Sequence, residues 1–95
     1  MARVRFLGIV RDWMRCGRLE APAGTLREVL SAMREQGGWR FEERAFRNGD
    51  RLIPEMEFLV NGQNARFLQG PDTALKPEDE IVVFIHRSWA EVPFM

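Results

Sequence analysis

The sequence predicts an α+β fold: a mixed sheet of four to five strands with one main helix packed across it. Three observations carry this expectation. Short alternating or continuous apolar runs lie toward both ends of the chain, one segment of helical period follows the first of them, and turn chemistry separates the segments. At 95 residues, the chain is the size of one domain and can bury a single core without disulfide or metal staples.

Arg3-Val4-Arg5-Phe6-Leu7 alternates polar and apolar residues, and the first strand is read over residues 2 to 9. Cys16-Gly17 signals a turn, and Arg18 to Ala21 returns as a short second strand, making an antiparallel hairpin. Thr25 and Glu28 have capping-box spacing, so a helix should begin at Leu26. Leu26, Val29, Leu30 and Met33 share one of its faces, and Gly37-Gly38 should end it.

Residues 39 to 55 have weak periodicity and are expected to form an irregular or partly helical connection. Met56 to Val60 reads as a strand, and Asn61-Gly62 as a tight hairpin turn from which the chain returns through Gln63 to Arg66. The loops around Leu75 should let that side chain plug one end of the core. Glu80 to Ile85 is a β-branched and aromatic run, expected to be a central strand covered on both faces and a neighbour of the first strand.

The hydrophobic fraction of 45% and charged fraction of 29% are those of ordinary globular proteins. Fourteen basic residues balance fourteen acidic ones, so total charge argues against nucleic acid and against an anionic membrane as partners. The balance is uneven along the chain: residues 1 to 48 carry ten Arg against six acids, and residues 49 to 95 carry four bases against eight acids. With one cysteine, no signal-like segment and no long apolar run, the expected compartment is the cytoplasm.

Two stretches carry a resemblance to a known family. The first runs from Val4-Arg5-Phe6-Leu7-Gly8 through Arg11-Asp12 and Gly17 to Leu19-Glu20-Ala21-Pro22-Ala23-Gly24-Thr25-Leu26-Arg27-Glu28-Val29-Leu30. The second is Phe58-Leu59-Val60-Asn61-Gly62, then Phe67-Leu68, Gly70 and Asp72 to Ile81. In order and spacing they resemble the molybdopterin synthase small subunit and the thiamine-biosynthesis sulfur carrier. The resemblance implies a ubiquitin-like β-grasp fold over residues 1 to 86, followed by a tail over residues 87 to 95.

Members of that family react through a flexible tail ending in Gly-Gly, whose carboxylate is adenylated and converted to a thiocarboxylate that donates sulfur in a partner's active site. Here the last strand continues as His86-Arg87-Ser88-Trp89-Ala90-Glu91-Val92-Pro93-Phe94-Met95, and the last glycine is Gly70. The expectation is therefore a non-catalytic, sulfur-carrier-like protein without a cofactor or metal, which binds a protein partner. That partner would be an activating enzyme, a pterin synthase subunit or an oxidoreductase of molybdenum or tungsten cofactor metabolism. The residues expected at the contact are His86, Arg87, Trp89, Val92, Phe94 and Met95, since large apolar groups near a terminus either fold back or dock. The alternative is a genuine sulfur carrier with a processed or unconventional terminus.

Other chemistry-bearing residues have plainer readings. Cys16 lies between Arg15 and Gly17 with no His beside it, which favours an incidental or partly buried thiol over a nucleophile. Gly37-Gly38 is an internal pair and reads as a helix terminator, while Glu78-Asp79-Glu80 lacks the ligand spacing of a calcium loop. No paired carboxylates, nucleophile-base pair or phosphate-cradling loop supports an enzyme.

Overall fold

A computed structural model describes residues 1–48 and 51–86. The chain runs β1 (Ala2–Phe6), α1 (Ile9–Met14), β2 (Arg18–Ala21), α2 (Leu26–Ala45), β3 (Phe46–Arg47), β4 (Arg51–Leu52), β5 (Met56–Val60), β6 (Gln63–Asn64) and β7 (Glu80–Ile85), with two 3-10 turns between β6 and β7. Five strands form one mixed sheet in the order β2-β1-β7-β5-β6, in which β1 and β7 are parallel. The α+β arrangement, with one main helix and the first and last strands adjacent at the centre, is as the sequence predicts.

Inward residues of β1, β5 and β7, among them Val4, Phe6, Phe58, Ile81 and Val83, form one core with Leu26, Val29, Met33 and Phe41 of α2. Alternation explains the division, because successive strand side chains point to opposite faces. Leu75 plugs the core as expected: it is 6% exposed, and its N–H donates to the Gly24 carbonyl at 2.8 Å. Glu28 closes the start of α2 by accepting a hydrogen bond from the Thr25 N–H at 3.2 Å.

Three expectations need correction. The first strand ends at Phe6, not at residue 9, because Gly8 turns the chain with φ 61 and ψ −136 into a short helix. Val10, Trp13 and Met14 lie at i, i+3 and i+4 on its inner side, so Ile9 belongs to α1 rather than to the strand. β1 and β2 still pair antiparallel, but α1 connects them in place of a tight hairpin turn.

Gly37-Gly38 breaks the main helix without ending it. Gly38 adopts φ 60 and ψ −147, after which a second helical segment carries Phe41 and Ala45 into the core. Arg34 fastens the two segments, with Nε 2.7 Å and Nη2 3.2 Å from the Glu42 carboxylate and its guanidinium 4.2 Å from the centre of the Phe46 ring. The 39–55 connection is partly helical, as expected, and residues 46–47 and 51–52 add a small antiparallel β3–β4 pair to it.

The third correction concerns β7, which is central in hydrogen bonding but incompletely covered. Its inward Ile81 and Val83 are fully buried, whereas outward Val82 and Phe84 are half-buried. At the far end of the sheet, Asn61 and Gly62 both take positive φ in the β5–β6 turn, as read. The Asn61 side chain donates to Asp79 Oδ1 and accepts from the Glu80 N–H, each at 3.0 Å, which pins the turn to the start of β7.

Candidate functional site

The outward face of the sheet is ordered in rows by strand register. At the start of β7 stand Glu20, Arg3 and Glu80, alternating in sign, with Arg3 Nη2 3.6 Å from Glu80 Oε2. The next row toward the strand's end holds Arg18, Arg5, Val82, Leu59 and Asn64. Beyond it lie Leu7 and the paired Phe84 and Glu57.

Where β7 ends, its last residue Ile85 pairs with Met56, and the His86 N–H donates to the Glu55 carbonyl at 2.7 Å. This bond fixes the point from which the following segment departs. Around it, Leu7, Gly8, Ile9, Phe84 and Ile85 line an apolar groove. Leu7 and Ile9 remain 45% and 40% exposed, although one is held to β7 by an N–H to Val83 carbonyl bond of 3.0 Å. Two exposed aliphatics converging on a half-buried Phe make a surface suited to a partner's apolar side chain.

Among the expected contact residues, His86 is placed by the structure: it is exposed and beside this groove. Arg87, Trp89, Val92, Phe94 and Met95 lie outside the described residues. Sequence reasoning does not single out Leu7 and Ile9, because the strand it predicts runs through residue 9. Gly8 between two aliphatics, followed by the Val10, Trp13, Met14 spacing, was the available signal.

Cys16 follows α1, half-buried against the core, and is a free thiol. The Glu78-Asp79-Glu80 turn is organised by hydrogen bonds: Asp79 accepts from Asn61 Nδ2 and, at 2.7 Å, from the Lys76 N–H. These bonds, that from Asn61 first, hold its carboxyl below the usual range. Among the described residues, no group of three or more His, Cys, Asp or Glu is placed to hold a metal ion, and no helix is long and apolar enough to cross a membrane.

Comparison with known proteins places this geometry. No curated protein matches the chain significantly. Among solved structures, the small archaeal modifier protein 1 of Methanosarcina acetivorans superposes with a TM-score of 0.81 at 25% identity, covering 92% of this chain and 93% of its own. The Amycolatopsis orientalis BexX/CysO complex contains a chain matching with TM-score 0.76 and 18% identity over 93% and 98% of the two chains. A candidate molybdopterin converting factor subunit 1 of Pyrococcus furiosus matches at 0.67 and 22% over 90% and 97%. At those identities, the latter two establish the shared fold. The ThiS family model matches residues 4–86, which takes in the whole sheet except the first two residues of β1, and both helices. The chain therefore belongs to the ThiS family, and is a sulfur-carrier-like protein of the ubiquitin-like β-grasp fold.

Proposed function

We propose that this protein is a non-catalytic member of its family that acts by docking on a protein partner, in molybdenum or tungsten cofactor metabolism or as a small subunit of an oxidoreductase. The observation that carries the reading is the exit of β7. An exposed apolar groove flanks the point where the carriers' reactive segment departs, and the sequence leaving it is wide and aromatic, with Trp89, Pro93 and Phe94 and no glycine over residues 87–95. A thin glycine segment suits entry into a narrow active site, since the absence of Cβ allows close backbone approach. Trp89 and Phe94 suit burial against a surface instead.

The groove at β7 and the residues His86, Arg87, Trp89, Val92, Phe94 and Met95 together make the proposed contact. A protein partner is supported by the relative solved as the BexX/CysO complex, and the pathway by the converting-factor relative. The test is calorimetric titration of the full chain into a sulfur-carrier activating enzyme, a pterin synthase large subunit and a tungsten oxidoreductase, with ATP added in a parallel reaction followed by intact mass. The expected result is binding to one of them that is lost on truncation after Ile85, with no change in mass. An ATP-dependent thiocarboxylate would overturn the reading in favour of a working carrier with an unconventional terminus, the alternative that the family match itself favours.

A further inference from the structure

The docking end of the sheet carries a second, electrostatic feature. Arg5 and Arg18 stand directly opposite each other across the β1–β2 pair. Like charges at facing positions of an antiparallel pair are destabilising, and here no carboxylate lies between them. The neighbouring row shows what compensation looks like, with Arg3 set between Glu20 and Glu80. Arg11 of α1 lines the same cleft, with its guanidinium beside Gly17.

Among the described residues, Arg5, Arg11 and Arg18 have no ion pair or side-chain hydrogen bond. Asp12 and Glu20 border this region without pairing to any of the three. Leu7 lines both the arginine cleft and the apolar groove, so the two are continuous.

We propose that the cleft of Arg5, Arg11 and Arg18 is a carboxylate-reading subsite, which receives an acidic stretch of a protein partner while the partner's apolar side chain occupies the groove beside Leu7. The proposal rests on the docking reading above and specifies the chemistry of what docks. Guanidinium forks match carboxylates in a bidentate way, and an apolar centre with a charged rim is the usual anatomy of a protein interface. A nucleic-acid strand fits less well. The three arginines share their cleft with Glu20 and Glu80, so a phosphate backbone running along the sheet would meet repulsion.

The test follows backbone and arginine Nε–H resonances of the isotope-labelled full chain during titration with four probes. They are a short glutamate–leucine peptide, the same peptide with glutamine for glutamate, inorganic phosphate and oligothymidylate. Saturable shifts at Arg5, Arg11, Arg18 and Leu7 are expected with the glutamate peptide. The double variant Arg5→Gln/Arg18→Gln should bind it about three- to tenfold more weakly, as for the loss of two exposed pairs.

Equal binding of the glutamine peptide, or tighter binding of oligothymidylate or phosphate at these arginines, would overturn the proposal. Peptide-induced shifts confined to Leu7, Ile9 and Phe84 would overturn the arginine subsite alone and leave the docking reading standing. An absence of shifts anywhere on this face would overturn both.

Discussion

Adjacent glycines at 37 and 38 are there for different physical reasons, and alanine at each position separates them. Within a helix, Gly to Ala ordinarily stabilises by about 0.5–1 kcal/mol. At Gly37 the new Cβ would stand 2.5 Å from Phe41 Cβ and 2.9 Å from Met14 Sδ, far inside the roughly 3.5–4.0 Å of a favourable carbon contact. Met14 can swing its sulfur aside, but Phe41 Cβ is attached directly to backbone, so relief requires the second segment of α2 to move. Overpacking of this kind costs about 1–3 kcal/mol, and subtracting the helical gain leaves Gly37→Ala destabilised by about 1–2 kcal/mol. Gly38→Ala meets no atom within 4 Å; its penalty comes from φ 60 and ψ −147, a conformation that costs other residues about 1–3 kcal/mol. The two variants lose similar amounts yet differ in coupling. Combined with Met14→Ala, Gly37→Ala should be less than additive by about 0.5–1 kcal/mol, whereas Gly38→Ala should be additive. Urea unfolding at unchanged slope measures all of these, and a Gly37→Ala variant more stable than the parent would refute the packing argument.

Three further outcomes are expected. Arg18→Glu turns the facing Arg5–Arg18 pair into an attractive one and should raise stability by roughly 0.2–1 kcal/mol, a gain that shrinks in high salt and is read by thermal unfolding at two salt concentrations. Arg34→Lys keeps the charge but loses the two-pronged bond to Glu42 and the planar contact with Phe46, so chemical denaturation should show a loss of about 0.5–1 kcal/mol. Asp79 has a lowered pKa in the folded protein, through hydrogen bonds from Asn61 and then Lys76. The unfolded chain therefore takes up its proton first on acidification. That contribution is complete above the ordinary Asp value of about 3.9 and is lost as pH falls through the lower folded value. Asp79→Asn should accordingly flatten the acid limb of a stability-versus-pH curve measured by denaturant midpoint.

The elements legible in the sequence were those whose signal is local. The capping box at Thr25, the Asn61-Gly62 turn and the alternation of β1 each depend on residues within a few positions of one another. The kink at Gly38 was half legible. A glycine pair announces a break, but whether the chain resumes as helix depends on Phe41 and Ala45 finding the same core as Met33, which is a tertiary matter. α1 was lost for a related reason: six residues with two aliphatics at the start look like strand until Gly8 is seen to reverse the chain. The continuous apolar run of β7 predicts cover on both faces. An apolar outward residue can equally be one that waits for a partner, and Val82 and Phe84 remain half-buried.

The candidate site shows why net charge was a poor guide. A total of zero argues against a polyanion-binding stripe, yet charges act through their neighbours in space. Register places Arg3 between two carboxylates and leaves Arg5 facing Arg18, a difference made by a two-residue step along each strand. Sequence separation hides it, since Arg5 and Arg18 are joined only through α1 and the turn at Cys16-Gly17. The same register puts the unpaired arginines in the row of Val82, one row short of Leu7 and Phe84 on the way to His86. The basic patch, the exposed Leu7 and Ile9, and His86 thus lie on one face and toward one end, although they arise from separate parts of the chain. If the fold served only as a scaffold for a reactive terminus, nothing would keep two facing arginines unpaired there. On the proposed reading an acidic partner supplies the missing counter-charges on binding, and on that reasoning Arg18→Glu should gain stability and lose affinity together.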